Sequence, residues 1–232
     1  MLFHVCQDDP MASKVQRIGR RTDALSKERI VEAAIAILDA EGEGALTFRA
    51  LATHLATGSG AIYWHVAGKD VLLAASAQAV IGEVLAAVDG GTEARKAIRA
   101  IALGVFDAID AHPWVGTQLS REPWQSAVLQ LFEGMGGKLQ ALGVPPRARF
   151  NAASTLVNYV LGLAGQYAAG ARLIRHETDR KVFLSALADR WVALAPEQYP
   201  FVHQMAAQLR DHDDRKQFLA GIDLILNGIA NI

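Results

Sequence analysis

From Phe150 to Ala171 the chain carries no charged side chain, and Asn151, Ser154, Asn158, Gln166 and several glycines interrupt its apolar residues. A stretch of that length can cross a bilayer as a helix. The scattered amides and glycines argue against lipid on every side, so no membrane span is expected. It reads instead as a buried helix, and a helix with so little charge must be covered all round. The chain must supply that cover from itself or from a second copy. Composition agrees: 51% of residues are hydrophobic and 20% charged, a low charged share that suits extra buried surface at a subunit interface.

The remainder is helical in pattern, with no useful strand alternation and no internal repeat. The expected fold class is all-α. Ser26 caps a first helix whose Ile30, Ala33, Ala34, Ile37 and Leu38 form one apolar stripe, closed by Gly42. Leu25 and Ile30 form a hydrophobic staple. Thr47 caps a second, short helix broken at Thr57-Gly58-Ser59-Gly60. A third runs from Ser59 through His65 and a fourth from Lys69 to about Val88. Thr92 is expected to cap the next, which Pro113 stops. Further helices are expected over 125–142, 147–172, 179–194, 201–210 and, capped by Asp213 or Asp214, to about Ala230. This divides the chain into an arm (1–25), a three-helix head (26–70) and a larger bundle (71–232). The arm carries Lys14, Arg17, Arg20 and Arg21, and reads either as a plain tail or as a segment that touches phosphate.

Short helices joined by a tight glycine-containing turn make a helix-turn-helix, here from about Thr47 to Lys69, with Ser59–His65 as the recognition helix. Net charge is −1, so a nucleic-acid signal must be local. It is: from Gly44 to Lys69 there is no acidic residue, hence nothing to repel phosphate. Thr47 offers a capped helix start, and Arg49 reaches phosphate or a guanine edge. Ser59, Gly60 and Ala61 open the recognition helix, where base edges are read. Tyr63, His65 and Lys69 supply donors to phosphate. Trp64 either meets a thymine methyl or packs. Taken singly, Tyr63, Trp64 and His65 also fit a partly buried aromatic cluster.

The run Ala61-Ile62-Tyr63-Trp64-His65-Val66-Ala67-Gly68-Lys69-Asp70 resembles the signature of the tetracycline-repressor (TetR) family, in which tyrosine, tryptophan and histidine are followed shortly by a lysine. The likeness covers residues 26 to 73 well. The rest matches only as an all-helical ligand and dimer domain, with His112-Pro113-Trp114 and Asp223-Leu224-Ile225-Leu226-Asn227-Gly228 as weaker echoes. The resemblance implies a cytoplasmic homodimer that binds a palindromic double-stranded DNA operator and is released by a small-molecule effector.

In the bundle, the 150–171 helix and the last helix (214–230) are expected to pair with their symmetry mates in a four-helix seam. The last helix carries Phe218, Ile222, Ile225, Leu226 and Ile229 on one stripe; an ordinary intramolecular core is the other reading of it. Phe106, Trp114, Trp124, Phe132 and Tyr159 are expected to wall an effector cavity, with His112, Asn158 and Gln166 as its polar contacts. Each is individually a core or surface candidate too. The single cysteine, Cys6, rules out an internal disulfide framework and suits a reducing compartment. No paired-histidine metal spacing, phosphate loop or nucleophile elbow is present, so neither cofactor nor enzymatic activity is expected. The competing functions are a small-molecule binding protein without an operator, or a transcriptional activator.

Overall fold

Ser26 Oγ accepts from the Arg29 amide at 3.3 Å, satisfying one of the donors that a helix start leaves unpaired. Helix α1 (Lys27–Glu41) turns Ile30, Ala33, Ala34, Ile37 and Leu38 inward, and Leu25 packs against the same core. Gly42 ends it at φ 79°, ψ 179°, backbone open to glycine and strained for any side chain. The structure, a computed structural model, describes residues 25–121, 126–170 and 177–231, with backbone only at 164, 167–170 and 177–179. Trp124 and the basic arm before Leu25 lie outside the described residues.

Thr47 Oγ1 accepts from the Ala50 amide at 3.0 Å and starts α2 (Phe48–His54). The chain reverses through Ala56 at φ 49°, a left-handed conformation in a residue with a Cβ. Helix α3 (Ser59–Tyr63) follows. It is shorter than the sequence suggests, because Trp64 and His65 form the turn after it. Left-handed backbone costs an L-residue about 1–2 kcal/mol, and a β-branched side chain makes it worse. Ala56→Val is therefore expected to lower stability by about 1–2 kcal/mol in urea unfolding, while Ala56→Gly leaves it unchanged or slightly raised.

Helix α4 (Lys69–Ala86) leads into the bundle. Helix α5 (Ala94–Ala111) is capped by Glu93, not Thr92. Both Glu93 carboxylate oxygens are used, accepting from the Arg95 and Lys96 amides at 2.8 and 3.1 Å, where a threonine hydroxyl has one oxygen to offer. The Arg95 amide in particular holds the Glu93 carboxyl below its ordinary range. Pro113 ends α5 and also begins α6 (Pro113–Arg121), a helix absent from the sequence-based expectation. Proline fits a first helical turn, where no intrahelical donor is needed.

Then follow α7 (Ser126–Ala141), α8 (Pro146–Gly170), α9 (Glu177–Val192), α10 (Pro200–Arg210) and α11 (Asp214–Ile229). Asp213 is the last cap, accepting from the Lys216 amide at 2.9 Å. The described residues contain no strand, as the all-α pattern requires, and none of their helices is long and apolar enough to cross a membrane.

One core joins α1–α4 to the bundle, from Ile30, Leu51 and Ile62 through Leu72 and Ile81 to Ile98, Leu131, Leu156 and Phe218. The C-terminal end of α4 is gripped at two glycines. A Cβ on Gly104 of α5 would lie 2.6 Å from Val84 Cγ1, and one on Gly134 of α7 would lie 2.7 Å from Leu85 Cδ2. Helices α9 and α10 pack chiefly on each other. They bury Leu184, Ala188 and Ala206 apart from the main core, while Val182 and Phe201 stay exposed.

Candidate nucleic-acid interface

The turn between α2 and α3 sets two helix starts on the surface. Thr47, Arg49, Gly60, Tyr63, Trp64 and His65 are exposed, and Ser59 and Ala61 half-buried. Ile62 and Val66 face the core, which fixes the rotation of α3 about its axis. Gly58 has no side chain with which to cap α3, and its carbonyl accepts from the Ala61 amide at 3.0 Å, so the start of α3 has no side-chain cap. Tyr63 is 56% exposed, yet its ring lies flat on Phe48, centroids 4.1 Å apart and planes within 2°. That stack holds the phenol at the surface rather than in the core. Trp64 is 91% exposed, too open for the partly buried aromatic cluster that was the other reading of this run.

Two of the basic groups are shared with the fold. Lys69 Nζ donates to the Glu43 carbonyl at 2.7 Å; an ammonium has three donors, so this anchors the side chain without exhausting it. His65 lies near the start of α1. There the Glu28 carboxyl is held below its ordinary range, first by its own amide and the Ser26 hydroxyl and, more weakly, by Lys27 and His65. Glu43, the acid that directly precedes the neutral stretch, is paired with Arg121 through two bonds of 3.0 and 3.1 Å.

Among the described residues, the side chains expected to wall a cavity are found in two aromatic groups, at one carboxylate and on an exposed strip. Phe106 and Tyr159 face the core, stacked on the ring of Phe218 with centroids 5.3 and 5.5 Å from it. The Tyr159 hydroxyl donates to the Phe218 carbonyl at 3.3 Å. Phe132 meets Phe150 at 5.8 Å. Asn158 and Gln166 are exposed, in a strip with Asn151, Thr155 and Gly162 along the outer face of α8. Helix α8 is thus not apolar all round: its polar and small residues gather on one face. His112 and Trp114 are drawn together by a carboxylate that sequence reasoning missed. Asp39 Oδ1, in the last turn of α1, stands 2.7 Å from His112 Nδ1 and accepts from the Trp114 indole N–H at 2.7 Å. A cleft that sequence reasoning missed opens between α4, α5 and α7, about 490 Å³ in volume, lined by Leu85, Val88, Ile101, Leu129, Gln130, Glu133, Gly134 and Lys138.

The chain matches two family models, "Bacterial regulatory proteins, tetR family" over residues 30–76 and "Tetracyclin repressor-like, C-terminal domain" over 89–232. It is 49% identical to a TetR transcriptional regulator of known structure from Streptomyces coelicolor, with 89% of this chain and 98% of that one covered and a TM-score of 0.79. Among curated proteins it is 30% identical over 188 residues to an HTH-type transcriptional regulator of Saccharopolyspora erythraea, covering 77% of this chain and 80% of that protein. It is 28% identical over 215 residues to the HTH-type transcriptional repressor DrrR1 of Streptomyces coeruleorubidus, covering 88% and 77%.

Proposed function

Because this chain belongs to the TetR family of DNA-binding transcriptional regulators, we propose that it is a homodimeric repressor that holds a palindromic operator and lets go when a small apolar or amphipathic molecule enters the bundle. The observation that carries the DNA half is the exposed, acid-free face from Thr47 to Lys69. Arg49 and Ser59 are suited to reading bases. Tyr63, His65 and Lys69 are suited to holding phosphate. A head this small reads one half-site, and two heads read a palindrome.

The homodimer reading is supported by α8 and α11. Phe218, Ile222, Leu226 and Ile229 of α11 are spent in the chain's own core. This leaves Ala220, Leu224 and Gly228 on its exposed face, with Leu224 73% exposed. The exposed strip of α8 lies beside it, since Tyr159 bonds to Phe218. The seam of such a dimer is therefore built from small and amide side chains around Leu224, rather than from the apolar stripe the sequence suggested. Effector release requires a ligand with different affinity for two head spacings.

Fluorescence anisotropy with a labelled duplex from the region upstream of the protein's own gene tests the reading. Binding is expected to be specific and to weaken about 10³-fold or more between 50 and 200 mM salt for six or more phosphate contacts. Absent or salt-insensitive binding would overturn it.

A further inference from the structure

Helix α3 ends at Tyr63, but Trp64 keeps helical backbone, at φ −68° and ψ −23°, so one helical surface runs from Ser59 through Trp64. Ile62 is wholly buried and fixes which side of that surface meets the core. At about 100° per residue, Gly60 and Trp64 lie about 160° from Ile62, on the side turned away from the head. Ala61 and Tyr63 flank them. The outermost strip of the recognition helix is thus a glycine and an indole, with a single side-chain N–H between them.

Neither residue serves the fold. Trp64 is 91% exposed, and an indole left in water forgoes the burial of a large apolar surface. A Cβ on Gly60 would touch nothing in the chain. Glycine weakens a helix relative to alanine, so the head loses helix stability at position 60 without gaining a contact of its own. Both choices act outward. They leave a flat, apolar, closely approachable surface within a stretch that has no acidic residue.

The groups on α3 able to bond to bases discriminate poorly. Ser59 is half-buried, and a hydroxyl that both donates and accepts pairs with any base edge. Tyr63 is held by its stack on Phe48. An apolar surface in the major groove has one methyl group to meet there, the C5-methyl of thymine.

We infer that α3 selects its operator by thymine C5-methyl groups, which pack on Trp64 and are admitted by the bare backbone at Gly60. The head then responds to a C5-methyl wherever a base carries one, on 5-methylcytosine as on thymine. This rests on the operator-binding reading above and adds to it the chemistry that α3 reads.

The test uses the full chain and the upstream duplex, with each thymine of its footprint replaced in turn by dU, which lacks only the methyl. Anisotropy is expected to show a loss of about fourfold at one thymine in each half-site, the effect of exposing one buried carbon, and of about 16-fold when both are replaced. With cytosine at that position, methylation to 5-methylcytosine should tighten binding about fourfold. Trp64→Ala should bind the thymine and dU duplexes equally, with the thermal stability of the parent and the same salt slope, since no phosphate contact is removed. Gly60→Ala should raise thermal stability slightly and weaken operator binding several-fold. A duplex with dU at every thymine that binds like the original would overturn methyl recognition. Sensitivity to dU that persists in Trp64→Ala would overturn it as well. A parent that binds no upstream duplex would instead overturn the operator reading, and methyl recognition with it.

Discussion

Phe218→Ala is expected to cost about 3–5 kcal/mol of stability, the range for a large aromatic removed from a packed core. Phe218 is 1% exposed and sits between two rings, Phe106 at 5.3 Å and Tyr159 at 5.5 Å. Truncation leaves both without their stacking partner. Relaxation is opposed on the Tyr159 side, because the ring already lies across Gly221, where a Cβ would come within 2.4 Å of Cζ. Burial also raises the Tyr159 pKa, so its hydroxyl remains a donor to the Phe218 carbonyl at any ordinary pH. Phe218→Leu keeps most of the volume and should cost about 1–1.5 kcal/mol. Urea unfolding of the two variants measures the difference; equal losses would mean that retained volume recovers nothing and that the aromatic stack carries the whole effect.

Arg49→Ala is expected to reduce operator affinity about 10–100-fold, the equivalent of about 1–3 kcal/mol for one well-placed contact. The pattern of loss identifies the contact. If Arg49 meets phosphate, affinity falls on all sequences and the salt slope drops by about 0.9. If it meets a guanine edge, discrimination at one base pair is lost and the slope changes less. Tyr63→Phe is the companion change, since it keeps the ring on Phe48 and removes only the O–H. It should weaken binding a few-fold with no change in thermal stability. Anisotropy titrations at three salt concentrations read both variants, and an Arg49→Ala protein that binds like the parent would remove α2 from the interface.

The helices were legible in the sequence because their signals are local. Ser26, Thr47 and Gly42 act within a turn of the residues they cap or release, and an apolar stripe shows which face of a helix is buried. It does not show what buries it. The stripe of α11 was therefore as compatible with a seam as with the chain's own core, and the outer strip of α8 was hidden in a run that merely lacked charge. Helix α6 was missed because Pro113 has two meanings, stop and start, that only the next turn separates. Asp39 looked like any solvated acid, since Trp114 and His112 come to it through tertiary packing. The neutral stretch from Gly44 to Lys69 was visible at once. That Lys69 also fastens the Glu43 loop was not.

The small core shared by α9 and α10 bears on what a stability measurement of this chain reports. Leu184, Ala188 and Ala206 are buried outside the main cluster, so the hairpin is expected to open as a cooperative unit of its own. A loss measured after Phe218→Ala belongs to the unit containing Phe218, and a signal averaged over the whole chain will understate it. Hydrogen exchange resolved by peptide assigns each loss to its own unit.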